Sequence, residues 1–363
     1  PSGLVGASGT DVRVEDLRVV FPAAPRDVAL CNICLRTADR VLIEVGSFGA
    51  PDFDALYEGV RSVPWRDLLA PRAAVTVEAR SVKSRLTAAP SLQSVTKKAI
   101  VDAMTRGKGR MDETGPRCEV QLTLRADTAS LCIDTTGPGL HKRGYRHETG
   151  EAPLRENLAA ALVLLSRWDP TRPFADPLCG SGTIAIEAAM IAAGVAPGLH
   201  RRFAAEDWPL IPSAVWARAR EEARSLVRPA GGAPIEASDR DPNARAMAER
   251  NARAAGVADR IRFATRDLSA FEAPDDYGCI VCNPPYGERL GDEREAHRLY
   301  RAMGELYRRL PTWSLFALSA SETLPRSFGM RASRNRKLYN GNIRCWYYQY
   351  FGPLPRGARD GAP

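Results

Sequence analysis

One stretch constrains this chain more than any other: Phe174-Ala175-Asp176-Pro177-Leu178-Cys179-Gly180-Ser181-Gly182-Thr183, followed by Ile184-Ala185-Ile186-Glu187-Ala188-Ala189-Met190. The second part has apolar residues all round and no breaker, so it reads as a buried helix. The first part is a short apolar run that ends in an acid and then meets two glycines. That is a strand, a tight turn and a helix, the unit of an α/β domain. Glycines in such a turn let the backbone approach a ligand closely. An acid at the strand's end can accept from a ligand amine or hydroxyl. The spacing is Gly-x-Gly, short of the dinucleotide fingerprint, and no Lys-Ser/Thr pair follows as a phosphate loop requires. Alone, the turn reads equally well as an ordinary strand-to-helix connection.

A second stretch, Gly278-Cys279-Ile280-Val281-Cys282-Asn283-Pro284-Pro285-Tyr286-Gly287-Glu288-Arg289-Leu290, narrows the choice. Cys279 to Cys282 has strand character, and the two prolines stop it because they lack the N–H of a ladder. Asn283 is thereby held at a strand's carboxyl end, where open α/β sheets bind ligands. An acid ending the next strand after the glycine turn, Asp239 in Ser238-Asp239-Arg240-Asp241-Pro242, is placed to accept from both ribose hydroxyls. Asp241 reads as a helix N-cap instead.

The two stretches together resemble the class I S-adenosylmethionine-dependent methyltransferases that act on exocyclic amino groups. Three segments, the last of them an extension of the second stretch, look like the bacterial THUMP-domain methyltransferases. They are Leu140-His141-Lys142-Arg143-Gly144-Tyr145-Arg146, Ala152 to Leu162, and Asn283-Pro284-Pro285-Tyr286-Gly287-Glu288-Arg289-Leu290-Gly291. These enzymes are similar to the one that makes N2-methylguanosine in 23S ribosomal RNA, and the resemblance runs from about Asp27 to Gly352. It implies S-adenosylmethionine as cofactor, bound by Asp176, Cys179, Gly180, Ser181, Gly182, Thr183, Asp239, Asp267 and Asn283, with Asp267 accepting from the adenine amino group. It implies Asn283, Pro284, Pro285 and Tyr286 as the catalytic set. The Asn283 oxygen and the Pro284 carbonyl would accept from the target amine, and Tyr286 would stack on the extruded base.

The implied fold is α/β: a Rossmann-like class I methyltransferase domain at 147–363, preceded by a ferredoxin-like α+β region at 1–63 and a THUMP RNA-binding domain at 64–146. The family usually begins with a longer strand and helix than Val12 to Phe21 provides, so an atypical or truncated start is expected. Some relatives carry a second methyltransferase domain after the first. This chain ends too soon for one, so a single modification is expected.

Charge supports a polyanionic partner: the net charge is +8 and the pI about 9.2. Between Arg80 and Arg110 stand eight basic residues and one acid. Such a run is either a solvated face or a phosphate-contacting surface; the THUMP resemblance favours the second. Lys83, Arg85, Lys97, Lys98, Lys142 and Arg143 are the expected RNA contacts, with 23S ribosomal RNA the expected substrate and transfer RNA a second choice. DNA adenine, protein glutamine, and an RNA-binding module without turnover remain as alternatives. Arg326 to Arg344 adds six basic residues and no acid.

Of eight cysteines, Cys31/Cys34 and Cys279/Cys282 have Cys-x-x-Cys spacing. Residues three apart on a strand point to opposite faces, and Cys31 and Cys34 sit in an apolar helical pattern, so no metal is expected. No run long enough to span a membrane and no signal-peptide pattern appears, and a cytoplasmic location is expected.

In chain order, helices are expected over Asp27–Ala38, Asp52–Val63, Leu92–Thr105, Arg155–Trp168, Ser213–Val227 and Glu293–Arg309. Strands are expected over Arg40–Phe48, Ala74–Ala79, Pro234–Ser238, Arg260–Ala264 and Ser314–Ser319. One hairpin turns at Ala126-Asp127-Thr128 and another at Asn340-Gly341. Gly137–Gly150 reads as a polar linker, and Pro197–Pro212 as a loop that either serves the site or covers the surface.

Overall fold

The computed structural model describes residues 12–15, 17–146, 154–285, 293–355 and 357. They form two compact units, one running up to Leu140 and including Gly198–Ser225, the other comprising His141–Pro197 and Leu226 onward.

In the first unit, β1 (Arg13–Glu15) and β2 (Arg18–Val20) pair antiparallel. Helix α1 (Pro25–Cys34) starts on proline, and the Asp27 carboxylate accepts from the Ala24 N–H at 2.9 Å. It therefore begins two residues earlier than expected, and it ends at Cys34 because Leu35 returns to an extended conformation. After β3 (Leu42–Gly49), Asp52 caps α2 (Phe53–Arg61) by accepting from Ala55 N at 2.8 Å. Then follow α3 (Trp65–Leu68), β4 (Ala74–Val82), α4 (Ala89–Thr105), β5 (Arg117–Arg125) and β6 (Thr128–Asp134). The sheet order is β3-β6-β5-β4, with β4 parallel to β5. The β5–β6 turn puts Ala126 and Asp127 at φ 47° and 60°, the two-residue geometry that matches strand twist. Alternate residues of β5, Cys118 to Leu124, are buried, as a sheet with one packed face requires.

The second unit holds α5 (Glu156–Leu165), β7 (Phe174–Asp176) and α6 (Thr183–Ala193). The chain then contributes α7 (Ser213–Ser225) to the first unit and resumes with β8 (Ile235–Asp239), α8 (Pro242–Ala254), β9 (Ile261–Thr265), β10 (Cys279–Cys282), α9 (Glu293–Arg309), β11 (Ser314–Ser319), α10 (Leu324–Phe328), β12 (Arg334–Asn340) and β13 (Ile343–Tyr350). Its seven strands lie in the order β12-β13-β11-β10-β7-β8-β9, parallel except for the last hairpin. The order reverses between β7 and β10. Both strand faces are covered. One face packs α5, α6 and α8 around Phe174, Ala237, Val281 and Phe316; the other packs α9 and α10 around Ala175, Ile280, Leu315 and Tyr350. Sheets covered on both faces have near-continuous apolar strands, and Cys-Ile-Val-Cys in β10 is one.

Two local expectations shift. In the β12–β13 hairpin Asn340 still pairs with Ile343, so the loop is Gly341-Asn342, with Gly341 at φ 61°. The segment Gly198–Ser225 belongs to the first unit and supplies a surface cover there. Gly198 N–H donates to the Ile33 carbonyl at 2.8 Å, Trp208 donates to the Arg117 carbonyl, and Trp216 stacks on Phe203 at 5.5 Å. Two indoles and a phenyl ring with internal partners are what hold this irregular stretch.

Candidate functional site

A cleft of about 700 Å³ opens at the carboxyl ends of β7, β8, β9 and β10. It lies beside the reversal of strand order, where open sheets leave a crevice for ligands. Its walls include Asp176, Cys179, Gly180, Ser181 and Thr183 from the first turn, Asp239 after β8, Asp267 after β9, and Asn283 and Pro285 after β10. Residues separated by more than a hundred positions thus meet in one cavity.

The first turn is shaped by two glycines in the left-handed region, Gly180 at φ 51° and Gly182 at φ 82°. A Cβ on Gly180 would meet no atom within 4 Å, so the space beside that backbone is open. Gly182 has the opposite role: a Cβ there would come 2.8 Å from the Ala248 Cβ, so its absence lets α6 and α8 approach. Gly182 accordingly does not line the cleft. The turn is tied to the next strand by Asp239, whose carboxylate accepts from Gly180 N–H at 2.9 Å and from Asp241 N–H at 3.0 Å. Asp241 is the N-cap of α8 and accepts from Asn243 N–H. Asp267 accepts from Ser269 Oγ and N–H, and these bonds hold its carboxyl below the usual carboxylate range.

Asp176 differs from the other two acids. It is buried at the end of β7, and burial pushes its carboxyl up to about 8, against one backbone bond from Leu178 and with the Asp239 charge adding to the rise. Its folded value lies above the unfolded value, so the neutral carboxyl favours the folded state. That contribution is complete below about pH 4 and is lost as pH rises through about 8. The ligand-free protein should therefore lose thermal stability between these limits, and Asp176→Asn should flatten that part of the profile. Melting curves across pH test this; an unchanged slope in the variant contradicts it.

Asn283 carries the most informative polar atom. Its side-chain oxygen is buried and has no hydrogen-bond partner among the described residues. An unsatisfied buried acceptor costs about 1–3 kcal/mol, and here it borders the cleft. Pro284 is buried, Pro285 lines the cavity, and Tyr286 lies outside the described residues.

Several groups escaped the sequence reading. Glu295, Arg298, Leu299 and Ala302 of α9 form one wall, and Arg240 pairs with Glu295 at 2.8 Å at its mouth. Their i, i+3, i+4, i+7 spacing marks one helix stripe, a signal visible in the sequence but indistinguishable there from a packing face. The expected polar linker is partly interior. Arg143 and Tyr145 are buried and both donate to the same Glu187 oxygen in α6, at 3.4 and 3.2 Å, while Arg146 donates to Thr183 Oγ at 2.7 Å. Arg143 is thus withdrawn from RNA contact: its side chain is 2% exposed, matched to a wholly buried carboxylate. Lys142 beside it is exposed.

The basic run of the first unit is partly neutralised by acids outside the counted window. Lys97 pairs with Glu113 at 3.0 Å and Arg85 with Asp127 at 3.3 Å. Lys98 lies 5.8 Å above the Tyr57 ring, and Lys83 is exposed in a left-handed turn after β4. Exposed pairs of this kind are worth little in water and exchange readily for phosphate. Cys279 packs on one face of the sheet and Cys282 on the other, and burial pushes the Cys31 and Cys34 thiols up to about 11. Among the described residues no helix is long and apolar enough to cross a membrane.

Seven strands with the last hairpin reversed, a Gly-rich first turn, acids ending three strands and an Asn-Pro-Pro after the fourth define a Rossmann-like methyltransferase fold. Comparison with known sequences agrees. Residues 143–349 match the RMKL-like methyltransferase domain, 50–134 the THUMP domain, and 5–42 the RlmL ferredoxin-like domain. The chain belongs to the RMKL-like methyltransferase family, with a ferredoxin-like and THUMP region ahead of its catalytic fold. It is 41% identical over 350 residues to YpsC of Bacillus subtilis strain 168, provisionally named an RNA methyltransferase, covering 95% of this chain and 91% of that one. A crystal structure from Listeria monocytogenes, named as a predicted N6-adenine-specific DNA methylase, shares 43% identity with a TM-score of 0.88 over 96% of this chain and 95% of that one. SMU.472, provisionally named a methyltransferase and crystallised with SAH, shares 41% identity and a TM-score of 0.88 over 95% and 93%.

Proposed function

We propose that this chain transfers a methyl group from S-adenosylmethionine to the exocyclic N2 amine of a guanosine in 23S ribosomal RNA. The observation that carries the reading is the buried Asn283 oxygen at the cleft, an acceptor with no donor among the described residues. The THUMP region and the RNA methyltransferase relative support RNA as the substrate class. SAH in SMU.472 supports S-adenosylmethionine as the cofactor.

The residues present suit that cofactor. The open space at Gly180 accommodates close approach to backbone. Asp239 has lone pairs left for two ribose hydroxyls after accepting its two backbone N–H groups, and Asp267 accepts from an adenine amino group. The N-terminus of α6 attracts a carboxylate through its partial positive charge. The cofactor, when bound, supplies an activated methyl carbon on a sulfonium sulfur.

The protein's remaining task is to position the nucleophile. An amine on a purine is a poor nucleophile because its lone pair is delocalised into the ring. Acceptors aimed at its two N–H groups favour a more tetrahedral nitrogen with the lone pair turned out of the ring plane. Asn283 Oδ1 and the Pro284 carbonyl are those acceptors. Pro284 and Pro285 stop β10 and hold the loop's φ values, so the acceptors stay fixed. The exposed Lys83 and Lys98 side chains of the THUMP region contact RNA phosphates.

Lys83→Glu combined with Lys98→Glu should weaken RNA binding and lower the slope of log affinity against log salt by about 1.5, with SAH affinity unchanged; a slope equal to wild type contradicts the phosphate role. The substrate is tested in cells by comparing nucleosides from strains with and without the gene. Loss of one N2-methylguanosine from 23S ribosomal RNA is expected. Loss from transfer RNA instead would replace the substrate, and loss of N6-methyladenine from DNA would replace the nucleic acid.

A further inference from the structure

The basic run from Arg326 to Arg344 takes on a definite geometry in the β12–β13 hairpin. β12 is the edge strand of the sheet. Lys337 lies opposite Trp346 and Tyr339 opposite Arg344. Side chains two apart on a strand, and those directly opposed across a pair, share one face. Two cations and two aromatics therefore stand together. Tyr339 is 56% exposed although it is large and mostly apolar, and the Lys337 ammonium lies 5.5 Å from its ring centre. Arg344 pairs with Glu322 at 3.0 Å, both side chains more than half exposed. Glu322 is the only acid in salt-bridge contact with this basic run among the described residues.

The hairpin also stands at the catalytic end of the sheet. Cys282 pairs with Ala317 in β11, and Ser319, two residues on, pairs with Trp346. Residues 339 to 344 therefore extend past the carboxyl end of β11, a few residues beyond the level of Asn283, which follows Cys282. The face is the same too. Trp346 packs on the cluster that contains Cys282 and Tyr300, the side covered by α9, and α9 supplies Glu295, Arg298 and Leu299 to the cleft. Two to three strand spacings separate the quartet from β10, roughly 10–15 Å. A short stretch of nucleic-acid strand bridges that distance.

We propose that Lys337, Tyr339, Arg344 and Trp346 hold the RNA strand beside the target nucleotide, Tyr339 stacking on an unpaired base and the two cations contacting its flanking phosphates. This rests on the reading of RNA as substrate. Alternating aromatic and cationic groups with one competing acid suit a single-stranded polyanion, because stacking is tolerant of base identity and an exposed pair such as Arg344–Glu322 holds its cation only weakly in water. Its position beside the cleft gives this surface its role: it acts on the nucleotides next to the reacting amine.

The test is steady-state methylation of RNA by the full chain. Tyr339→Ala should raise the RNA KM about tenfold, Tyr339→Phe should stay near wild type, and Lys337→Glu with Arg344→Glu should lower the salt slope of RNA binding by about 1.4. All should keep kcat at saturating RNA, SAH affinity and melting temperature. An unchanged RNA KM in Tyr339→Ala and in the charge variant overturns the proposal. So does equal damage from Tyr339→Phe, or weaker SAH binding, either of which indicates a purely structural role. If the wild-type protein methylates no RNA, the substrate reading falls and takes this inference with it; if it methylates RNA and the variants match it, this inference alone falls.

Discussion

Asn283→Ala should lower kcat for methyl transfer by a factor on the order of 10²–10³, the usual loss when one positioned polar group is removed from a preorganised site. Cofactor affinity should change little. The proposed cofactor partners, Asp239 and Asp267, belong to other strand ends and keep their own bonds to Gly180, Asp241 and Ser269. The folded state should not suffer either, because the oxygen removed has no partner among the described residues to orphan. Stability should hold or rise slightly, since a buried unsatisfied acceptor is deleted. Single-turnover kinetics with SAH titration separates these effects. Turnover near wild type would remove Asn283 from the mechanism; loss of SAH binding in step with turnover would make it a cofactor residue only.

Asp239→Ala should act the other way round, weakening SAH binding on the order of 10²-fold or more, as the loss of charge-assisted hydrogen bonds implies. One carboxylate serves two purposes there. It accepts the Gly180 and Asp241 N–H groups, which sets the first turn against the start of α8, and it presents its remaining lone pairs to the cleft. The variant loses both. Asp239→Asn keeps one acceptor oxygen and should fall between. Calorimetric titration with SAH measures this, and an affinity equal to wild type in Asp239→Ala would show that the ribose is bound elsewhere.

The strand ends were legible because local chemistry announces them. Alternating glycines at 180 and 182 demand a turn, and two prolines at 284 and 285 end a ladder, whatever the rest of the chain does. Strand order followed from the resemblance, and with it the meeting of Asp176, Asp239, Asp267 and Asn283. What the sequence hid is non-local. Arg143 looks like one more basic residue in a polar segment until Glu187, in a helix read as apolar, is seen to be its partner. Lys97 and Arg85 look free until the chain returns with Glu113 and Asp127. The wall supplied by α9 looks like any amphipathic helix face. The excursion of Gly198–Ser225 into the first unit depends on Gly198 and Trp208 finding partners, Ile33 and Arg117, far away in sequence. The one-residue shift of the last hairpin turn is set by pairing across β12 and β13, which outweighs the preference of Asn-Gly for the two loop positions.

The most direct measurement is methyl transfer from labelled S-adenosylmethionine to unmodified 23S ribosomal RNA, with bulk transfer RNA and DNA as parallel substrates and nucleosides identified by mass spectrometry. N2-methylguanosine in the ribosomal RNA, abolished by Asn283→Ala, is the predicted result. Label confined to another nucleoside, or retained in full by the Asn283 variant, would contradict it.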